Sequence, residues 1–218
     1  MATSAGPTRP LRADAVRNRD RLLAAAKQVF GERGLDAPLE EIARRAEVSI
    51  GTLYNHFPTR EAFFDAIIPE RLAALERITA AALADPDPWR GFTGFLEGLF
   101  ALQAEDRGLN DAMAQRLPLS DKVLASCHRG FELAGQVVER AKESGALRAD
   151  FDMRDLPLLI WAISQVIRES TGVAPQAWRR CLAFFLDGLR ADAARPLAVP
   201  ALAWEQLGEI RLRTMPER

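Results

Sequence analysis

Residues 39–57, LEEIARRAEVSIGTLYNHF, constrain the fold more tightly than any other stretch of the chain. Leu39, Ile42, Ala43 and Ala46 recur at helical spacing, and so do Ile50, Leu53, Tyr54 and Phe57. Helices this short bury too little to stand alone, so each must lean on the other and on flanking helices. Ser49 is placed to cap the second helix through its hydroxyl, and the tight link makes the pair cross steeply. Such a helix-turn-helix presents its second helix to a DNA major groove.

The longer string LEEIARRAEVSIGTLYNHFPTREAFFDAI resembles the N-terminal domain of the TetR family of bacterial transcription regulators. The matching elements are Ile42-Ala43, Val48-Ser49, Gly51-Thr52-Leu53-Tyr54, His56-Phe57 and Arg60-Glu61. The resemblance spans roughly residues 14–70. It implies a homodimer on double-stranded operator DNA, whose last two long helices form a four-helix interface with their mates. It also implies DNA contacts from Thr52, Tyr54, His56 and Arg60.

The residues themselves support the same list. A recognition helix must begin with small groups, and Gly51 and Thr52 meet that need. Thr52 can hydrogen-bond to a phosphate or a base and offer its methyl to thymine. Tyr54 and His56 have polar tips suited to phosphate oxygens, although Tyr54 can instead pack and His56 can cap. Arg60 adds a cation beside a helix N-terminus that already favours anions. Leu53 and Phe57 are core. Three residues depart from the family pattern. Glu47 stands where glycine is usual, and a left-handed backbone there costs roughly 1–2 kcal/mol, so a differently shaped turn is expected. Pro38 removes a phosphate donor at the start of the first helix. Ile50 replaces a polar reader, and packs on a thymine methyl or does nothing specific. Arg44 and Arg45 either reach phosphates or form a solvated face.

Composition is that of an ordinary globular chain, 48% apolar and 27% charged, with a net charge of −1. Its 218 residues are enough for a sizeable core. Charge is unevenly spread: residues 1–60 hold ten Lys or Arg against seven Asp or Glu, and the remainder is acidic. A basic N-terminal part on an acidic body suits local phosphate contact. Cys127 and Cys181 lack metal-ligand spacing and read as reduced thiols. No signal peptide or membrane span is expected, so the reading is cytoplasmic.

An all-α chain is expected throughout. Residues 1–13 form a mobile basic arm, either a solvated tail or a DNA-touching strand. The DNA-binding domain is placed at 14–60, a ligand-binding and dimerisation domain at 61–195, and a tail at 196–218. The first helix runs from about Asp14 to Arg33, with Leu22, Leu23, Ala26, Val29 and Phe30 on one face and Gly34 as its stop. Pro38 opens the next helix at its first turn. Thr59 caps a long linking helix that Pro69 should kink or split. Asp87 caps the next, Ser120 another after a looser 106–119 segment, Asp152 another, and Pro175 starts the last.

Helix 152–171 has apolar residues nearly all round, too many for one face, so it should pack both inside its subunit and on a partner. The dimer face is assigned to Ile163, Ile167, Trp178, Leu182, Phe185 and Leu189. Trp89, Phe92, Phe95, Phe100, Phe131 and Trp161, with Met113 and Cys127, either fill the core or line an apolar effector pocket. His128 or Arg168 would be its polar handle. A small-molecule effector would favour a head separation that fits DNA poorly. Two histidines, no Gly-rich phosphate loop and no metal-ligand cluster argue against an enzyme, and no cofactor is expected. The rival is a helical protein–protein adaptor whose helix-turn-helix has lost DNA binding.

Overall fold

The computed structural model describes residues 8–114 and 120–213. Over them the chain is all-helical: α1 Thr8–Arg33, α2 Leu39–Arg45, α3 Ile50–His56, α4 Arg60–Ala84, α5 Pro88–Glu105, α6 Arg107–Ala114, α7 Asp121–Glu143, α8 Asp155–Ser170, α9 Ala177–Leu189 and α10 Trp204–Arg213. The only β pairing among the described residues is one antiparallel bridge, Leu147 to Arg190. Residues 1–7 of the expected arm, 115–119 of the looser segment and 214–218 of the tail lie outside the described residues. α1 begins at Thr8, so helix already replaces the last part of the expected arm.

Two cores share the molecule. The head core gathers Leu22, Ala26, Val29 and Phe30 of α1, Ile42 and Ala43 of α2, Leu53 of α3, and Phe63, Phe64 and Ile67 of α4. Phe57 stacks on Phe63 with centroids 4.0 Å apart, and Phe30 meets Phe64 at 5.4 Å. Each buried Leu, Val, Ile or Phe side chain contributes about 1.5–3 kcal/mol of transfer free energy. That sum is what holds two seven-residue helices in place. The body core gathers α5, α7, α8 and α9 around Phe92, Leu96, Phe100, Val138, Ile163 and Trp178.

α4 belongs to both. Its first turns, to Ile68, enter the head core, and its far end, with Ala82, enters the body core. Pro69 sits where the helix changes partner, yet α4 runs unbroken through it. The expected split is therefore wrong. Packing on both sides outweighs the one backbone bond that a proline deletes. At its far end Arg140 donates to the carbonyls of Ala82, Leu83 and Asp85, satisfying a helix terminus that has no further turn.

Capping follows the sequence at three helices. Ser49, Thr59 and Asp87 accept from Thr52 N–H, Ala62 N–H, and both Trp89 and Arg90 N–H. It fails at four. Pro38 is the N-cap residue itself rather than the first helical one. Ser120 makes no side-chain cap bond. α9 starts at Ala177, two residues after Pro175. α8 starts at Asp155, because Asp152 is occupied with the backbone N–H and guanidinium of Arg154.

Candidate nucleic-acid interface

The turn between α2 and α3 decides how α3 is presented. Glu47 adopts φ +52°, the left-handed conformation in which glycine costs least. The expectation of a differently shaped turn is thus corrected. Val48 N–H reaches Ala43 O at 3.0 Å and Glu47 N–H reaches Arg44 O at 3.1 Å. That pairing is a Schellman stop, which requires a left-handed residue after the C-cap. The Glu47 carboxylate pairs with Arg21 of α1 at 2.8 Å, a local offset to the strain. Its exposure keeps that offset small.

Ser49 then caps α3, its oxygen accepting Thr52 N–H at 3.1 Å and lying 2.9 Å from the Thr52 hydroxyl. Leu53 points inward and is fully buried. The opposite edge is open: Ser49, Ile50, Gly51, Tyr54 and Asn55 are all exposed, with Ile50 at 39% and Tyr54 at 46%. Thr52 and His56 are half-buried at its margins. An exposed edge of small, hydroxyl, phenol and carboxamide groups on a capped helix can enter a major groove and meet base edges. Asn55 was missed by sequence reasoning. Its position, one turn after Gly51 and beside Tyr54, is the signal that could have found it.

The cations sort differently from expectation. Arg44 is exposed and reaches Glu41 at 3.5 Å, so it remains near the open edge. Arg45 is held by both oxygens of Glu32 at 2.9 Å, which ties α2 to α1. Arg60 is half-buried, donating to the carbonyls of Leu35 and Ala37, with Phe30 beneath its guanidinium at 6.0 Å. Its charge fastens the loop after α1, because those two carbonyls have no helical partner. Arg19 lies 4.8 Å over the ring of Phe57.

The expected pocket residues do not converge on one hollow. Phe92, Phe95 and Phe100 are buried in the body core. Cys127 packs on the head core, His128 is exposed, and Phe131 meets Trp204 of α10 edge to face. Trp89, Met113 and Trp161 are half-buried. Arg168 alone keeps a polar role, 3.5 Å from Asp111.

Four of the six residues assigned to a dimer face are also reassigned. Ile163, Ile167, Trp178 and Leu182 are sealed within their own subunit. They form the inward stripe of α8 and α9, and a helix that is apolar all round does not say which stripe that is. Phe185 is exposed and Leu189 half-buried. The outward stripe consists of Leu158, Ala162 and Val166 on α8 with Phe184 and Phe185 on α9, Phe184 being 65% exposed. Among the described residues no helix is long and apolar enough to cross a membrane.

Comparison with known proteins agrees with this geometry. Residues 22–67 match the description "Bacterial regulatory proteins, tetR family", and residues 87–191 match "Transcriptional regulator SbtR-like, C-terminal domain". The HTH-type transcriptional repressor DhaR of Mycobacterium sp. (strain GP1) is 29% identical over 140 residues, 61% of this chain and 71% of that protein. The HTH-type transcriptional regulator UidR of Escherichia coli (strain K12) is 39% identical over 69 residues, 31% of this chain and 30% of that one. The solved TetR transcriptional regulator SCO0520 from Streptomyces coelicolor is 31% identical, covers 79% of this chain and 98% of its own, and superposes with a TM-score of 0.51. The chain belongs to the TetR family and is a helix-turn-helix, DNA-binding regulator of transcription.

Proposed function

We propose that this regulator is a repressor that binds a palindromic operator as a homodimer and is released by a small apolar or amphipathic effector. The observation that carries it is the open edge of α3, where Ile50, Gly51, Tyr54 and Asn55 face solvent while Leu53 fixes the helix from behind. One such helix reads about half a site. Two heads, held about one DNA turn apart or a multiple of it, read a palindrome. The outward stripe of α8 and α9 supports the pairing of subunits, since a large exposed apolar patch on a soluble surface marks an interface. DhaR, matched over 71% of its own length, carries the name repressor, which favours repression over activation.

The head supplies the contacts in two classes. Thr52, Tyr54 and Asn55 are positioned for base edges and flanking phosphates, and Ile50 offers an apolar contact to a thymine methyl. Ser49 and Gly51 let the helix start approach closely, while Arg44 and His56 lie at the margin for phosphates. The test is selection from random-sequence duplexes by the purified protein, followed by gel retardation across a salt series. A two-fold symmetric site is expected, with log affinity falling linearly with log salt. Failure to enrich any sequence, at low salt and high protein, would overturn the reading and favour the adaptor.

A further inference from the structure

Beyond the groups used above, the body contains a buried polar seam where α5, α6 and α8 meet. Ser164 donates to Gln103 at 2.6 Å, and Asn110 donates to the Ser164 carbonyl at 3.2 Å. All three side chains are sealed from solvent. Asp111, the neighbour of Asn110 on α6, faces two ways. One carboxylate oxygen accepts Leu35 N–H of the head at 3.2 Å; the other lies 3.5 Å from the guanidinium of Arg168 on α8. The carboxylate lies so close to the head loop that a Cβ on Gly34 would overlap it. Asp111 therefore touches the DNA-binding head with one oxygen and the body with the other.

The Arg168 end of this joint is poorly matched. Its Nε is buried without a hydrogen-bond partner, and so is Nε2 of Gln103. Arg71 and Asp106, the latter just before α6, provide the contrast. There two guanidinium nitrogens meet two carboxylate oxygens at 2.7 and 2.9 Å. Arg168 has no such fork-to-fork partner, and a guanidinium is best satisfied by one. Burial also raises the Asp111 carboxyl above its ordinary pKa, against the lowering effects of Leu35 N–H, Arg168 and Arg107 and with the help of Asp36. The ion pair is thus open to competition. Gln103 follows Leu99 and Phe100 by one helical turn and accepts from Ser164, which precedes Arg168 by one turn on α8, so both donors belong to this seam at the edge of the body core.

Resting on the effector-released repressor reading, we propose that the effector is an organic acid with an apolar body. Its carboxylate takes Arg168 and Gln103, draws Arg168 off Asp111, and so frees the Leu35 end of the joint and with it the head. Recognition is ionic exchange of one carboxylate for another; no covalent step is involved.

The test uses the full chain and a panel of straight-chain and aromatic carboxylic acids, each paired with its own alcohol. Acids should raise the melting temperature of the wild type and lower its affinity for a selected duplex at least about fivefold; their alcohols should do neither. Exchange of the Leu35 amide should quicken with acid. Arg168→Gln should bind the duplex as weakly as the acid-bound wild type and show no further response, and Arg168→Lys should recover part of both. Equal action by acid and alcohol, an Arg168→Gln variant that still responds, or a panel in which no acid acts would overturn the proposal. Release by a ligand of another class would leave the repressor reading standing and remove this one. Should no duplex bind at all, the repressor reading falls, while the acid-dependent melting shift and its loss in Arg168→Gln still decide whether the site exists.

Discussion

On α3, Leu53 is sealed and its neighbour Tyr54 is nearly half open, and the division is set by a seven-residue helix with a cap at each end. On α8, Ile163 is sealed and its neighbour Ala162 is open, within a sixteen-residue helix that is apolar on both sides. The head has little apolar surface to spare, so one stripe goes inward and the rest is left for a ligand made of phosphates and base edges. The body has apolar surface on two stripes, so burial within the subunit satisfies one and leaves the other facing outward. One region turns hydroxyl, phenol and carboxamide groups to solvent and the other an apolar stripe.

The largest expected effect separates the two sides of α3. Leu53→Ala should cost about 2–5 kcal/mol and abolish duplex binding, because the head core opens. Thermal unfolding and anisotropy should fall together; a stable variant that fails to bind would place Leu53 on the wrong side of the helix. Next, Phe184→Asp combined with Phe185→Asp should leave the helical content intact and convert the protein to a monomer. Sedimentation velocity reads this directly, and a melting temperature that no longer depends on protein concentration is the companion sign. A variant that remains dimeric would move the interface off the outward stripe.

The head was legible in the sequence because its signals are local. Ser49 and Thr59 each cap the helix that follows, and the sealed Leu53 and Phe57 recur at helical spacing. The turn at Glu47 was misjudged from the residue type alone. Its φ of +52° is imposed by the Schellman bonds to Ala43 and Arg44, which outweigh the preference of the side chain. The part Arg60 plays within the head was not legible, because charge at a helix start suggests a phosphate, while the acceptors it meets are carbonyls of a loop 23 to 25 residues away. The body was legible as helices and not as surfaces. Trp178 and Phe185 are equally apolar in sequence, and only the rotation of α9 against α5 and α8 sends one inward and the other out. Asp152 failed as a cap for a similar reason: Arg154, two residues on, takes both its oxygens.

Smaller effects sharpen the contrast. Glu47→Gly relieves the left-handed residue but loses the Arg21 pair and loosens the unfolded chain. The net gain should be under about 1 kcal/mol, with duplex affinity unchanged; a loss of stability would mean that the Arg21 pair outweighs the strain. In the body, the Arg154 guanidinium holds the Asp152 carboxyl down at about 2, from an ordinary value of 3.8. The stability this contributes is present above the unfolded value and disappears as pH falls through about 2. Asp152 is partly exposed, so the contribution should stay under about 1 kcal/mol. Asp152→Asn should lower the urea midpoint at pH 7 and leave it unchanged at pH 2; an equal loss at both would assign the effect to hydrogen bonding instead of charge.

The central claim is that the outer edge of α3 reads DNA while its inner edge only holds the helix. Anisotropy titration of a selected duplex against Thr52→Ala combined with Tyr54→Phe tests it most directly, because neither change touches Leu53 and the backbone N–H of residue 52 still caps on Ser49, which loses only the hydroxyl contact. Affinity should fall at least about tenfold, or about 1.4 kcal/mol, with the melting temperature unmoved. Unchanged affinity, or a loss matched by a fall in melting temperature, would contradict it.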